Sequence, residues 1–189
     1  MNREIFNKLI EKGNSDILFI PDMEFLSKEE MEKRKNLYAD TYKIDDMTIF
    51  AINGGGDFWA WDSSEKVYFV ELGSGNCKLF AINLVDAIFR QVIECASGMT
   101  MELCTDDEKE EMDEDDAEYY YSESECKQLI EDFIKEFNTH LSEYEKSIVE
   151  RTLNQELNDE NTLLSFEEYQ EVIMQLLQGE SEEVTNIVR

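Results

Sequence analysis

Asp57 and Asp62, two nearby carboxylates, and His140, the single histidine, are the residue types that general acid–base or hydrolytic chemistry would use. Their spacing does not gather them. The two aspartates stand at opposite ends of one short strand at odd spacing, which turns them to opposite faces, and His140 falls on a charged helical stretch with no nucleophile beside it. Gly54-Gly55-Gly56 could cradle a phosphate, but no Lys-Ser or Lys-Thr follows and no helix start supplies aligned amides. The segment Leu157–Glu168 echoes the back half of an EF-hand loop. Its front half fails, because Leu157 stands at the first ligand position and Thr162 where glycine is required. Cysteines 77, 95, 104 and 126 form no CxxC pair and read as reduced core residues. The residues therefore predict no catalytic group, no metal site and no cofactor; a hydrolase using Asp57, Asp62 or His140 is the enzymatic alternative.

Carboxylates beside aromatics predict a different chemistry. Asp113-Glu114-Asp115-Asp116 runs almost directly into Tyr119-Tyr120-Tyr121. Acids can pair with lysine or arginine while rings stack on guanidinium, so these seven residues are the candidate partner-binding set. The charge balance agrees. The 189 residues carry a net charge of −28, with 17 acids against 11 bases over residues 1–100, 13 against 1 over 101–125, and 15 against 5 over 126–189. Such a field repels nucleic acid and anionic membrane, and it steers a basic protein into contact at a rate that fades with salt.

The most regular patterning lies before residue 100. Thr48–Ile52 is a near-continuous apolar run, Asn53-Gly54-Gly55-Gly56-Asp57 is a structural turn, and Phe58-Trp59-Ala60-Trp61 places an aromatic on each face. Val67–Leu72 and Cys77–Ile82, separated by Gly73-Ser74-Gly75, complete four strands in meander order. Asn83 caps a following helix that buries Ala87, Ile88, Val92 and Ile93.

Around this centre, Ile5, Phe6, Leu9 and Ile10 predict a short first helix before Gly13, Ile17–Ile20 a strand ended by Pro21, and the Ser27/Glu30 capping box a helix over Lys28–Tyr38. Met99–Cys104 alternates weakly and reads as an edge strand or as the chain leaving the core. Thr105–Glu118 is too acidic to fold alone and predicts a mobile loop. Ser122/Glu125 opens a helix through Phe137, helical spacing continues from Leu141 to Leu153, and Ser165/Glu168 opens a last helix through Leu177; Glu180–Arg189 shows no convincing face and predicts a frayed end. The fold class is α+β, a mostly antiparallel sheet packed by helices with an α-helical C-terminal extension. Its divisions are 1–104, an acidic loop 105–121, and helices over 122–189. The chain is long enough to bury about 70% of its unfolded surface.

The order of parts from Asp46 to Gly98 resembles the SUKH superfamily, which includes a yeast regulator of cell-wall glucan synthesis and many bacterial toxin-immunity proteins. The likeness lies in Ile49–Ile52, the turn Asn53–Asp57, the aromatic strand, Val67–Val70 and a helix beginning near Leu84–Phe89, and it covers roughly the first hundred residues. The three helices after residue 122 lie outside the usual pattern. The resemblance implies an α+β domain and a non-enzymatic role neutralising a toxin, often a nuclease. Together with the charge, it predicts an immunity or inhibitor protein for a basic toxin domain; a regulatory scaffold and a nucleic-acid mimic are the alternatives. No apolar run approaches the eighteen or so residues that cross a bilayer, and the amphipathic N-terminus does not read as a signal sequence, so a cytoplasmic protein is expected.

Overall fold

A computed structural model describes residues 2–11, 20 and 22–189. The predicted strand at 17–20 and its end at Pro21 lie outside the described residues, except for Ile20, which is buried and in no strand. In chain order the elements are α1 (Asn2–Glu11), β1 (Glu24–Phe25), α2 (Lys28–Tyr38), β2 (Thr48–Ile52), β3 (Phe58–Trp61), β4 (Val67–Glu71), β5 (Asn76–Ala81), α3 (Leu84–Ala96), β6 (Glu102–Cys104), α4 (Asp106–Glu111), α5 (Glu114–Ala117), β7 (Tyr120–Ser122), α6 (Glu123–Phe137), α7 (Glu143–Leu153), α8 (Phe166–Leu176) and β8 (Val184–Asn186). This is an α+β fold. The described residues divide into two compact units, one of 2–11, 22–87 and 174–189, the other of 20 and 88–173.

The first unit holds an antiparallel six-stranded sheet in the order β1-β2-β3-β4-β5-β8. Period-2 alternation along β3 divides its side chains between two covered faces. Phe58 and Ala60 pack with Tyr38, Tyr42, Ile44, Ile49, Val70 and Ile187, where the Tyr38 and Phe58 rings stack at 5.4 Å. On the other face Trp61 lies 4.8 Å from Phe50 and 5.4 Å from Phe6, and Trp59 lies 4.8 Å from Phe69. Trp59 and Trp61 are both buried, so this aromatic face is core.

The turn at 53–57 works through Asp57. Its Oδ1 accepts from Leu72 N–H at 2.8 Å and its Oδ2 from Asn53 Nδ2 at 3.2 Å, while the Asn53 backbone closes on Asp57 O and accepts from Gly56 N–H. Of the three glycines only Gly56 takes a positive φ, +89°, where a side chain would be strained. Asn83 accepts from Asp86 N–H at 3.0 Å and caps α3, as expected.

The end of the chain departs from the sequence reading. Instead of fraying, β8 pairs with β5 in register Cys77↔Thr185, Ile187 N–H donates to Gly75 O at 2.9 Å, and Lys43 N–H donates to Ile187 O at 2.8 Å. The division 122–189 therefore does not hold as one helical extension, since residues 174–189 belong to the sheet unit. Gly75 makes the docking possible: its φ is +68°, and a Cβ there would sit 2.2 Å from Val188 Cγ2.

The second unit is built on α3, α6 and α7 with most of α8. Phe89 stacks on Phe133 at 5.7 Å, and Phe133 meets Phe137 at 5.2 Å. Capping boxes at Ser122/Glu125, Ser142/Glu145 and Ser165/Glu168 start α6, α7 and α8 where the backbone would otherwise leave amides unpaired. Buried Arg90 and half-buried Glu94 on α3 pair at 2.8 Å, and Tyr169 donates to the same Glu94 oxygen at 2.9 Å.

An acidic groove as the candidate functional site

The expected acidic loop is folded. Thr105 and Glu108 make a capping box for α4, Asp113 caps α5 by accepting from Asp116 N–H at 3.1 Å, and the chain returns as β7, which pairs parallel to β6 in register Leu103↔Tyr121. Self-repulsion is overcome because the short helices leave their carboxylates in water and one cation holds the base of the segment. Lys109 donates to Tyr120 O at 2.7 Å, pairs with Glu125, and lies 5.6 Å from the Tyr121 ring centroid. Asp106 accepts from Ser124 Oγ at 2.6 Å, tying α4 to the start of α6.

This arrangement leaves a groove of about 560 Å³ lined by acids and by apolar side chains. Glu102 comes from β6, Glu108 and Glu111 from α4, Tyr120 from β7, and Glu160 from the turn before α8; Leu103, Cys104 and Met112 supply apolar surface. The lining contains no lysine or arginine. Hydrogen bonding to Glu102 raises the Tyr120 phenol above its ordinary value, so the ring keeps its proton and sits beside a carboxylate. The Glu160 wall is fixed by an Asx turn: Asn158 Oδ1 accepts from Glu160 N–H at 2.9 Å and Thr162 N–H at 3.1 Å. That turn and the Ser165/Glu168 capping box account for the letters that echo an EF-hand.

The residues expected to bind a partner separate in space. Asp113, Glu114, Asp115 and Asp116 are exposed on and beside α5 but outside the groove lining, and Tyr119 is 70% exposed. Tyr120 lines the groove. Tyr121 turns inward, and burial followed by the nearby Cys95 pushes its phenol far up, so it is held as a neutral anchor. Glu102, Glu108, Glu111, Glu160 and Met112 were not anticipated. Only the Thr105-x-x-Glu108 capping signature could have placed part of the wall.

The groups considered for hydrolysis have structural partners. Asp57 holds its turn, and Asp62 Oδ1 accepts from Ser64 N–H at 2.8 Å and Lys66 N–H at 3.1 Å. His140 is exposed in the turn after α6. A second cavity of about 450 Å³, in the sheet unit, includes Asp62, Tyr68, Cys77 and Glu180. Burial pushes the Cys77 thiol up to about 11, and burial followed by Asp62 pushes Tyr68 up to about 12, so neither is an ionised nucleophile near neutral pH. Among the described residues no three His, Cys, Asp or Glu side chains are placed to hold a metal ion, and no helix is long and apolar enough to cross a membrane. Comparison with family models, with curated proteins and with solved structures finds no match to the chain.

Proposed function

We propose that the chain is a non-enzymatic, cytoplasmic binding protein that occupies a basic protein, acting as a SUKH-like immunity or inhibitor protein against a toxin domain. One observation carries the reading. The second unit has 26 acidic residues against 6 basic, and five of those six, Arg90, Lys109, Lys127, Lys146 and Arg151, already pair with carboxylates of the same unit. Among the described residues the acids of the groove pair with no lysine or arginine, and they fit the cationic side chains of a partner, with Tyr120 and Met112 beside the alkyl or guanidinium part. The meander β2–β5 followed by α3 supports the SUKH reading of the sheet unit.

Ordered α4 and α5 favour one further reading within the same class, a protein whose carboxylates imitate nucleic-acid phosphates and so occupy a DNA- or RNA-binding surface. Mimicry needs fixed charge spacing, which capped helices supply. The two readings separate by competition: a mimic is displaced by the partner's nucleic acid, whereas an inhibitor bound elsewhere is not.

Calorimetric titration with an arginine-rich peptide tests the groove itself. Four exposed ion pairs at about 0.5 kcal/mol each predict roughly 30-fold weaker binding by E102Q/E108Q/E111Q/E160Q. The variant E131Q/D132N/E167Q/E171Q removes the same charge from exposed positions of the same unit outside the groove and is expected to bind nearly as the parent. Equal weakening in both would leave only a diffuse field and overturn the assignment of the groove.

A further inference from the structure

Cys95 on α3 and Cys126 in the first turns of α6 are both fully buried, and their Sγ atoms lie 3.9 Å apart. No such contact involves the other two cysteines: Cys104 Sγ donates to Tyr121 O at 3.7 Å, and Cys77 belongs to the sheet unit. A disulfide needs the sulfurs about 2 Å closer, a distance that side-chain rotation with a small shift of α6 can supply. We propose that Cys95 and Cys126 form a redox-sensitive pair that closes to a disulfide on exposure to a low-molecular-weight disulfide such as oxidised glutathione, tying α3 to α6.

The reaction is thiol–disulfide exchange. One cysteine, as thiolate, attacks a sulfur of glutathione disulfide, breaking that S–S bond and releasing one glutathione, which takes up a proton. The second cysteine then attacks the protein sulfur of the mixed disulfide and releases the other glutathione. Two protein S–H bonds are lost, one protein S–S bond forms, and the reagent is reduced by two electrons to two thiols. The contact with Cys95 and burial push the Cys126 thiol well up, so this thiol stays protonated while closed and exchange proceeds through opening of α6.

The bridge would close a loop spanning β6, α4, α5 and β7, the segment that supplies most of the acidic groove. Oxidation would therefore brace the groove from beneath without placing a new group in it. This holds whether or not the groove binds a basic partner, because its readout is covalent.

The full-length protein, fully reduced, is equilibrated with oxidised glutathione with and without enough urea to loosen α6, then measured by intact mass and non-reducing peptide mapping. The expected product has lost two hydrogens, carries no glutathione, and yields one crosslinked peptide joining Cys95 to Cys126. Its melting temperature should rise by roughly 10 °C, as for a loop of this length. The variant C77A/C104A should show the same two-hydrogen loss and the same crosslinked peptide, and C95A/C126A should not change mass by two hydrogens. Persistent glutathione adducts, a bridge through Cys77 or Cys104, or no two-hydrogen loss under either condition would overturn the pairing.

Discussion

Replacing Gly75 by alanine should release the C-terminal strand from the sheet. A Cβ at φ +68° incurs roughly 1 kcal/mol of left-handed strain. It also stands 2.2 Å from Val188 Cγ2, where ordinary contact begins near 3.4 Å, so the tail must move by more than an ångström. That movement breaks the bond from Ile187 N–H to Gly75 O and draws Ile187, 7% exposed, out of the core beside Tyr42 and Cys77. Burial of the isoleucine contributes about 2 kcal/mol, while hydrogen bonds at this exposed edge are largely exchanged for bonds to water. The loss is therefore about 3 kcal/mol, or a melting temperature roughly 9 °C lower for a chain of this size. Urea unfolding gives the first quantity; amide exchange should show lost protection at Ile187 and Lys43. In G75A/V188A the clash is gone and only the strain remains, so about 2 kcal/mol should return. A loss below about 1 kcal/mol in G75A, or no recovery in the double variant, would refute the close approach of tail and turn.

Ser122→Ala removes the hydroxyl that accepts from Glu125 N–H at the start of α6, and should cost about 1 kcal/mol by urea unfolding, with Ser122→Thr, which keeps the hydroxyl, recovering most of it; an unchanged midpoint in the alanine variant would contradict the cap. Acid should loosen the 105–125 segment before the helices beneath it. Hydrogen bonds from the Thr105 backbone and side chain hold Glu108 low, and those from Ser122 and Ser124 hold Asp106 low. For Glu125, burial acts upward but hydrogen bonds from Lys109 and Ser122 hold it below its ordinary value. Folded values below unfolded ones give stability that is present above about pH 4.5 and is lost as the pH falls through the folded values. The protection factors of the Glu108 and Glu125 amides, corrected for the slower intrinsic exchange in acid, should therefore fall on titration below about pH 4.5, and protection that persists there unchanged would count against these bonds.

Local signals carried much of the architecture. Apolar runs separated by glycine turns marked β2 to β5, and capping signatures at Ser27, Ser122 and Ser165 placed three helix starts, because both depend on residues a few positions apart. In the acidic segment the charge pattern masks the signals that decide its structure, the caps Thr105/Glu108 and Asp113 and the single lysine that anchors it. The last strand was hidden for another reason. Val184, Thr185 and Asn186 are all exposed, so β8 has no alternation to detect, and its pairing with β5 spans most of the chain. The groove was beyond local reading as well, since Glu102 and Glu160 meet only through tertiary structure, whereas Asp113–Asp116 stood out in sequence and lie outside its lining.

The proposed function rests on an acidic surface that captures a cationic protein and does no chemistry on it. The most direct test is to express the proteins encoded by the neighbouring genes and, for a basic one, to measure its activity and its association rate with this protein at rising salt. Capture without catalysis gives loss of activity at one equivalent, no turnover, and an association rate that falls by roughly tenfold or more between low and high ionic strength. Activity that survives a stoichiometric excess, inactivation by catalytic amounts, or a rate indifferent to salt would contradict it.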